Sequence, residues 1–306
     1  MMTRRLLGRA IALGAFALVL AGAAGCDVDD LFGPRIESTA VRTVSFAASP
    51  NLIVDAGSAN GAIAVRRVEG QTAVQVQMTL RSRGTTLEDA NARLARIVAR
   101  AEQEGDRIVL RYVAAEQDDD VRRSSGVAFD VTLPEAAGVQ AVTSNGAIRV
   151  AGVRGDLDLA TSNGEVVVEQ YAGDVKARTS NGQILIDRGE GALLLETSNG
   201  QIQIAHVAAR VDAETSNGEI TFSGRLFDGA HRLVTSNGHI GVRVPDTAAI
   251  RVVAQTHNAS ISSSLPLVGD TEGRSWDAVL NAPAAATLTV ETSNGAIDFG
   301  ILSKVE

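Results

Sequence analysis

Residues capable of catalysis or metal binding are few in this sequence. A single cysteine, Cys26, and four histidines, His206, His231, His239 and His257, are the side chains most often used for metal binding and nucleophilic attack. The histidines lack metal-ligand spacing, and a Cys/His zinc site is impossible with the single cysteine near the N-terminus. The sequence also contains no Gly-x-Ser-x-Gly elbow, phosphate loop or dinucleotide fingerprint. We therefore predict no metal site, no cofactor and no catalytic residue.

Acid–base chemistry by carboxylates is the remaining catalytic possibility. Asp156, Asp158 and Asp174 could form an acid/base pair of the kind that cleaves glycosidic bonds, and some β-helices cleave polysaccharides. The same aspartates lie at strand positions where a charge keeps a face in solvent, and aromatic residues make up only 3% of the chain. We therefore expect a non-enzymatic protein. The alternative is a carbohydrate-active β-helix enzyme, a lyase or hydrolase that acts on a surface polysaccharide.

A repeated four-residue sequence, Thr-Ser-Asn-Gly, defines the elements that would position any such side chain. Five copies are spaced by 18 residues and two more follow after wider gaps. Their asparagines are Asn145, Asn163, Asn181, Asn199, Asn217, Asn237 and Asn294. Degenerate copies lie at 58–61 and 256–259. A fixed period of this length is typical of repeat architectures, in which each unit buries its apolar face against its neighbours.

Alternating apolar residues on both sides of each copy predict two short strands per repeat. Leu157 and Leu159 precede one copy, and Val166 and Val168 follow it. Asn-Gly between such strands favours a type I′ hairpin and an antiparallel meander. Coils stacked about 4.8 Å apart would instead form a parallel β-solenoid. The repetition of all four residues favours an all-β, parallel β-solenoid of 18-residue coils, because a hairpin turn has no use for a repeated Thr-Ser.

The seven asparagines are predicted to form a structural ladder in such a solenoid. Stacked amides can hydrogen-bond to the coil before and the coil after. We expect these side chains to point inward. The alternative is a Ser-Asn column that faces solvent and binds cations along the surface.

The N-terminal residues predict export and a lipid anchor. Residues 1–25 combine a basic start, an apolar stretch and small residues directly before Cys26, as in bacterial lipoprotein signal peptides. We expect acylation of Cys26, and the alternative is an ordinary cleaved signal. Residues 26–40 are interpreted as an acidic tether. Since the chain has one cysteine, no intramolecular disulfide can support the fold.

Residues 41–142 are interpreted as irregular first coils interrupted by one amphipathic helix. Apolar residues recur at helical spacing over 86–104, Thr86 and Asp89 form a capping box, and Gly105 occupies the C-cap position. We expect this helix to cap the open end of the solenoid, whose strand edges need protection. A partner-binding helix is the alternative.

The regular array is predicted to occupy residues 143–306. Over 262–287 the pattern fails, and this stretch is expected to leave the array and fold back over the C-terminal coil. The apolar residues of that coil, from Leu288 to Phe299, are then expected to close the stack.

The charge balance limits the possible partners. The formal net charge is −8, and residues 1–25 carry three arginines and no acidic residue, so the mature chain is more acidic still. An acidic surface argues against nucleic acid and against electrostatic binding to anionic lipid. Membrane contact would therefore depend on acyl chains at Cys26.

These features resemble a bacterial "putative adhesin" family of β-strand repeat proteins. The resemblance depends on a strand ending in Leu133-Pro134, the repeated Thr-Ser-Asn-Gly-x-Ile coils, and Ser263 to Leu267 before the last coil, and it covers about residues 41–301. It implies a β-solenoid domain of unknown function in the cell envelope, with an adhesion, scaffolding or interaction surface. Envelope proteins, polysaccharide or further copies of the chain are the implied partners. The resemblance brings no catalytic residues.

Overall fold

The computed structural model describes residues 16–17, 35–113 and 119–302. Most of the predicted signal peptide, Cys26 and the first part of the predicted tether therefore lie outside the described residues. The chain forms two compact units, Met1–Gly146 and Ala147–Glu306.

The first unit contains two small sheets. Its elements are β1 (Phe16–Ala17), β2 (Ile36–Ala47), β3 (Ile53–Gly57), β4 (Ile63–Arg67), β5 (Ala73–Gly84), α1 (Leu87–Leu94), β6 (Val98–Glu104), β7 (Arg107–Val113), α2 (Asp119–Ser124), β8 (Ser125–Leu133) and β9 (Gly138–Val142). In one sheet β1, β2, β5 and β8 pair antiparallel in that order, and β4 joins β8 in parallel. In the other, β6 is antiparallel to β7, and β3 lies in parallel between β7 and β9. Alternate side chains of these strands, such as Val54 and Phe129, are buried and form the core.

The second unit is a parallel β-solenoid. Its strands are β10 (Ile148–Ala151), β11 (Asp156–Ala160), β12 (Val166–Ala172), β13 (Val175–Arg178), β14 (Ile184–Glu196), β15 (Ile202–Thr215), β16 (Ile220–Leu226), β17 (Gly229–Thr235), β18 (Ile240–Val244), β19 (Ile250–Thr256), β20 (Ile261–Ser263), β21 (Val268–Asp270), β22 (Ser275–Leu280), β23 (Ala286–Thr292) and β24 (Ile297–Ile301). One parallel column holds β10, β12, β14, β15, β16, β18, β24 and β20, which follow the boxes. The other holds β11, β13, β14, β15, β17, β23 and β19, which precede them.

Two observations decide between the architectures that the sequence allowed. Equivalent residues of successive coils pair in parallel, as Ile184 with Ile202 and Leu193 with Val211. Neither the asparagine nor the glycine of any Thr-Ser-Asn-Gly copy has the positive φ that a type I′ turn needs. The predicted all-β solenoid is therefore confirmed, and the antiparallel meander is wrong.

The predicted helix over 86–104 is wrong beyond its first two turns. Helix α1 begins with the expected cap, because Thr86 Oγ1 accepts a hydrogen bond from the Asp89 N–H at 3.1 Å. It ends at Leu94, and Val98–Glu104 forms strand β6 instead. The alternating exposure of β6 suits its antiparallel pairing with β7, and Gly105, at φ 62°, forms the turn between these strands. Helix α1 packs against β2 and β5, with Ala90 fully buried.

The predicted tether over 26–40 is also too long. Strand β2 begins at Ile36, which pairs with Gly84, and its residues Ser38 and Ala40 are buried. Since these positions alternate inward along a twelve-residue strand, residues 36–40 belong to the first unit.

The C-terminal coil does not close the stack as predicted. Strand β23 pairs with β17 on one side and β19 on the other, and β24 lies in the same way between β18 and β20. The excursion after β20 forms strands β21 and β22, and β22 extends the sheet antiparallel to β19. The last coil therefore inserts between two coils that precede it in sequence, an order that apolar periodicity cannot reveal.

Candidate interaction surface

Each Thr-Ser-Asn-Gly copy, here called a box, buries its threonine and exposes its serine and asparagine. The box threonines are only 2–8% exposed. In the box at 197–200, Thr197 continues the inward alternation of Leu193 and Leu195, and the turn then directs Ser198 and Asn199 to solvent. The expectation that the asparagines point inward is therefore wrong. The inward alternation of the preceding strand, continued to the box threonine, was the sequence signal that could have shown that the threonine and not the asparagine points inward.

The box threonine hydroxyl joins two coils. Gly200 N–H donates to Thr197 Oγ1 at 3.2 Å, and the same hydroxyl donates to the carbonyl of Gly182 in the preceding coil, also at 3.2 Å. The same pair of bonds is made by Thr179, Thr215, Thr235 and Thr292. Two buried backbone groups per coil thus depend on one side chain, and an unpaired buried group costs about 1–3 kcal/mol.

The box glycine is required by close stacking. A Cβ on Gly200 would lie 1.7 Å from the carbonyl oxygen of Gly182, and a Cβ on Gly218 would lie 1.8 Å from that of Gly200. No side chain can occupy that space. The invariant fourth residue of the box therefore reflects contact between coils and not a left-handed turn.

The asparagines form a ladder on the outside of the solenoid. Asn199 Nδ2 donates to Asn181 Oδ1 at 2.8 Å, and Asn217 Nδ2 donates to Asn199 Oδ1 at 2.9 Å. Matching bonds join Asn181 to Asn163, Asn237 to Asn217, Asn294 to Asn237 and Asn258 to Asn294, and in the first unit Asn145 to Asn60. Since most of these amide oxygens already accept a neighbour's amide proton, the column is poorly suited to bind cations.

The three candidate catalytic aspartates lie close together, but each is engaged in a local contact. Asp156 and Asp174 occupy equivalent positions of successive coils, and Asp158 lies two residues from Asp156 on the same exposed face. Asp156 Oδ1 accepts a hydrogen bond from the Asp174 N–H at 3.2 Å, and Asp174 Oδ1 accepts one from the Ala192 N–H at 2.9 Å. Asp158 lies opposite Lys176 in the register. Two of these carboxylates thus tie the turns of successive coils together, and the third faces a cation.

The histidines serve separate local roles. His231 is buried, and its Nδ1 accepts a hydrogen bond from the Val211 N–H while Nε2 lies 2.8 Å from the Phe227 carbonyl. Burial lowers the pKa of His231 and keeps the ring neutral. His206 pairs with Asp187 at 2.7 Å, and His239 contacts Glu219 and Asp298. Among the described residues, no three His, Cys, Asp or Glu side chains are placed to hold a metal ion.

Most outward charges of the second column are paired between strands. Arg178 contacts Glu196 at 2.7 Å, and Arg232 contacts Glu214 at 2.6 Å. These side chains are about half exposed, so each pair contributes roughly 0–1 kcal/mol. This charged face is therefore largely neutralised by its own neighbours.

An open groove of about 480 Å³ crosses the turns between the two columns. Its lining residues are Tyr171, Ala172, Gly189, Glu190, His206, Val207, Ala208, Gly224, Arg225 and Leu302. The groove exists because Gly189 and Gly224 carry no side chain at positions where other coils have Tyr171 and Val207. The groove was not predicted from the sequence, although Gly189 and Gly224 replace the larger side chains found at the same position of other coils, Tyr171 among them.

The groove combines an apolar floor with a charged rim. The ring of Tyr171 lies so close to Gly189 that a Cβ there would be 2.4 Å from two ring carbons. Burial raises the pKa of Tyr171, and within the described residues its hydroxyl has no hydrogen-bond partner. Glu190 and Arg225 are exposed at the rim and, within the same residues, neither forms an ion pair. Solvent-facing charges of both signs are therefore available there.

Comparison with known proteins places the repeat architecture in a family. The profile of the Toastrack DUF4097 family matches residues 117–299. A structure titled a putative adhesin from Bacteroides fragilis NCTC 9343 is 13% identical, covers 85% of this chain and 96% of its own, and has a TM-score of 0.45. A putative cell adhesion protein from Clostridium sporogenes ATCC 15579 is 9% identical, with 85% and 99% covered and a TM-score of 0.30.

The structural likenesses carry no functional argument at these identities and scores. No curated protein matches the chain. Within the described residues no helix is long and apolar enough to span a membrane.

Proposed function

We propose that this chain, which belongs to the Toastrack DUF4097 family of domains of unknown function, is a non-enzymatic, lipid-anchored protein of the bacterial cell envelope. It acts by presenting an interaction surface on its β-solenoid unit. The observation that carries the proposal is the groove, which combines an apolar floor with exposed charges of both signs, Glu190 and Arg225, at its rim.

The repeated residues are already committed to building the coils. Threonine hydroxyls and glycines join neighbouring coils inside, and asparagines join them outside. The carboxylates that could have formed a catalytic pair hold backbone N–H groups or face a lysine. The repeated residues therefore stabilise the fold, and binding depends on the positions whose residues differ from the repeat.

The groove suits an extended ligand. It crosses β12, β14, β15 and β16, which span about 14 Å at the usual strand spacing. Glu190 and Arg225 lie two strands apart, about 10 Å. Solenoids bind ligands across several coils at once, so a segment of a surface polysaccharide or envelope protein fits this site better than a compact small molecule.

The lipid anchor at Cys26 is the second part of the proposal. Cys26 lies outside the described residues, and its role depends on the sequence before it. Because the chain is acidic, acyl chains must supply the membrane affinity, at about 0.8 kcal/mol per buried methylene group.

Charge reversal at the groove rim tests the proposed surface. The soluble fragment 27–306 is offered to envelope material, both protein and polysaccharide, and its binding is compared with that of Glu190→Lys with Arg225→Glu. We expect at least about tenfold weaker binding, since two charge-assisted contacts are lost.

The matched control is Arg178→Glu with Glu196→Lys on the charged face, which exchanges one positive and one negative charge as the rim variant does. Arg178 and Glu196 already pair with each other at 2.7 Å, so we expect binding to stay near that of the wild type. Loss of binding in the control and not in the rim variant would assign the interaction to the charged face and contradict the role of the groove.

A further inference from the structure

The chain contains eight Asn-Gly sequences, the dipeptide most prone to spontaneous deamidation. In that reaction the glycine backbone nitrogen loses its proton and attacks the asparagine Cγ. A succinimide forms and ammonia leaves, and water then opens the ring to aspartate or isoaspartate. The net change is hydrolysis of one amide, and no oxidant or cofactor is needed.

We propose that the hydrogen bonds of the Thr-Ser-Asn-Gly box, here called the lock, slow this reaction by holding the glycine nitrogen and the asparagine amide in place. Asn60, where one of these bonds is missing, is then the principal deamidation site of the chain.

The lock holds the attacking nitrogen. In the box at 197–200, the Gly200 N–H donates to the buried Thr197 hydroxyl at 3.2 Å. Reaching the asparagine Cγ requires this bond to break. It also requires the glycine to move, although the space beside it is filled by the Gly182 carbonyl. The same arrangement recurs in the boxes ending at Gly164, Gly182, Gly218, Gly238 and Gly295.

The lock also holds the carbon under attack. The Asn199 amide donates to Asn181 in the preceding coil and accepts from Asn217 in the next coil. Its side chain therefore lies along the stack and is restrained from folding back onto its own glycine. Solvent reaches the amide, so the restraint comes from geometry and not from burial.

Asn60 lacks the hydrogen bond that holds the nucleophile, although Gly61 is packed as closely as the other box glycines: a Cβ on it would lie 1.9 Å from the Val127 carbonyl oxygen. The degenerate box has Ser58 in place of threonine, and its hydroxyl donates to the Val127 carbonyl at 2.7 Å. Within the described residues, no bond joins that hydroxyl to the Gly61 N–H. The Asn60 amide is still anchored, because it donates to the Ser125 carbonyl at 2.9 Å and accepts from Asn145. The difference therefore lies in the nucleophile.

Peptide mapping by mass spectrometry tests the proposal on the intact chain. The folded protein is aged in mildly alkaline buffer, and aspartate and isoaspartate are quantified at all eight sites. We expect Asn60 to deamidate about tenfold faster or more than Asn199, since one buried hydrogen bond separates the two sites. In protein unfolded by urea, the deamidation rates of the eight sites should become similar. Equal rates at Asn60 and Asn199 in the folded protein would overturn the proposal.

Variants of one box separate the lock from general rigidity. Thr197→Val should accelerate deamidation at Asn199 alone, whereas Thr197→Ser retains a hydroxyl and should keep the slow rate. Circular dichroism verifies that the aged samples remain folded. If Thr197→Val does not stay folded, the comparison of Asn60 with Asn199 in the wild type still decides. A Thr197→Val protein that is folded and as slow as Thr197→Ser would contradict the role of the hydroxyl.

Discussion

Replacing one box threonine by valine should destabilise the solenoid far more than removing the visible asparagine ladder at the same coil. Thr197→Val keeps the shape of the side chain and deletes its hydroxyl. The Gly200 N–H and the Gly182 carbonyl then both lose their partner in a site that is 8% exposed at Thr197. At about 1–3 kcal/mol for the buried Gly200 N–H and less for the partly exposed Gly182 carbonyl, the free energy of unfolding should fall by about 2–4 kcal/mol.

Asn199→Ala should cost less, although it removes three hydrogen bonds, one of them a long contact of 3.5 Å to the Ser180 carbonyl. The bonds to Asn181 and Asn217 join exposed side chains, and water replaces the lost partners. We expect a loss of about 1 kcal/mol or less. Ser198→Ala, which removes an exposed hydroxyl from the same box, is the control and should be close to neutral.

Urea unfolding followed by circular dichroism measures all three variants. The midpoints are compared only where the slopes of the transitions agree, because a changed slope signals a different unfolded or native ensemble. An Asn199→Ala variant that is destabilised as much as Thr197→Val would refute the inward threonine network as the main connection between coils.

Three further predictions concern the anchor, the stacking and a buried ring. Cys26→Ser should release the protein from washed membranes and leave its circular dichroism unchanged, and a variant that stays bound would disprove lipidation. Gly200→Ala should lower the urea midpoint strongly, because its Cβ would overlap a carbonyl oxygen. Gly57→Ala, whose Cβ would have its nearest neighbour at 3.4 Å, should lower the midpoint only slightly. Burial lowers the pKa of His231 in the folded protein, so on acidification this histidine is protonated at a higher pH in the unfolded chain than in the folded one. Stability should therefore fall as the pH drops below about 6.5, and this loss should shrink in His231→Gln.

The sequence was sufficient to predict the solenoid, because the period and the alternating strands together leave few alternatives. It predicted the wrong side chain inside, since an identical Thr and an identical Asn are equally compatible with stacking. The inward alternation of Leu193, Leu195 and Thr197 places the threonine inside. That alternation also places the asparagine outside only if the geometry of the turn after Thr197 is known.

Other features depend on contacts between residues far apart in sequence. The second half of the predicted helix pairs with β7 because Val98–Glu104 alternates, and this tertiary pairing outweighs its helical spacing. The insertion of β23 between β17 and β19 reverses the order of two coils, which periodicity does not record. The groove arises from two missing side chains in register with Tyr171, so it becomes visible only when the coils are stacked.

The proposal that this protein presents a surface without turning over a substrate is tested most directly by one time course. The fragment 27–306 is incubated with bacterial envelope polysaccharide and protein, and bound protein and released oligosaccharide or peptide are measured from the same samples. We expect binding that saturates and is weakened by Glu190→Lys with Arg225→Glu, with no product accumulating over time. Steady release of cleaved product, lost on replacing a single carboxylate, would contradict the proposal and identify the chain as an enzyme.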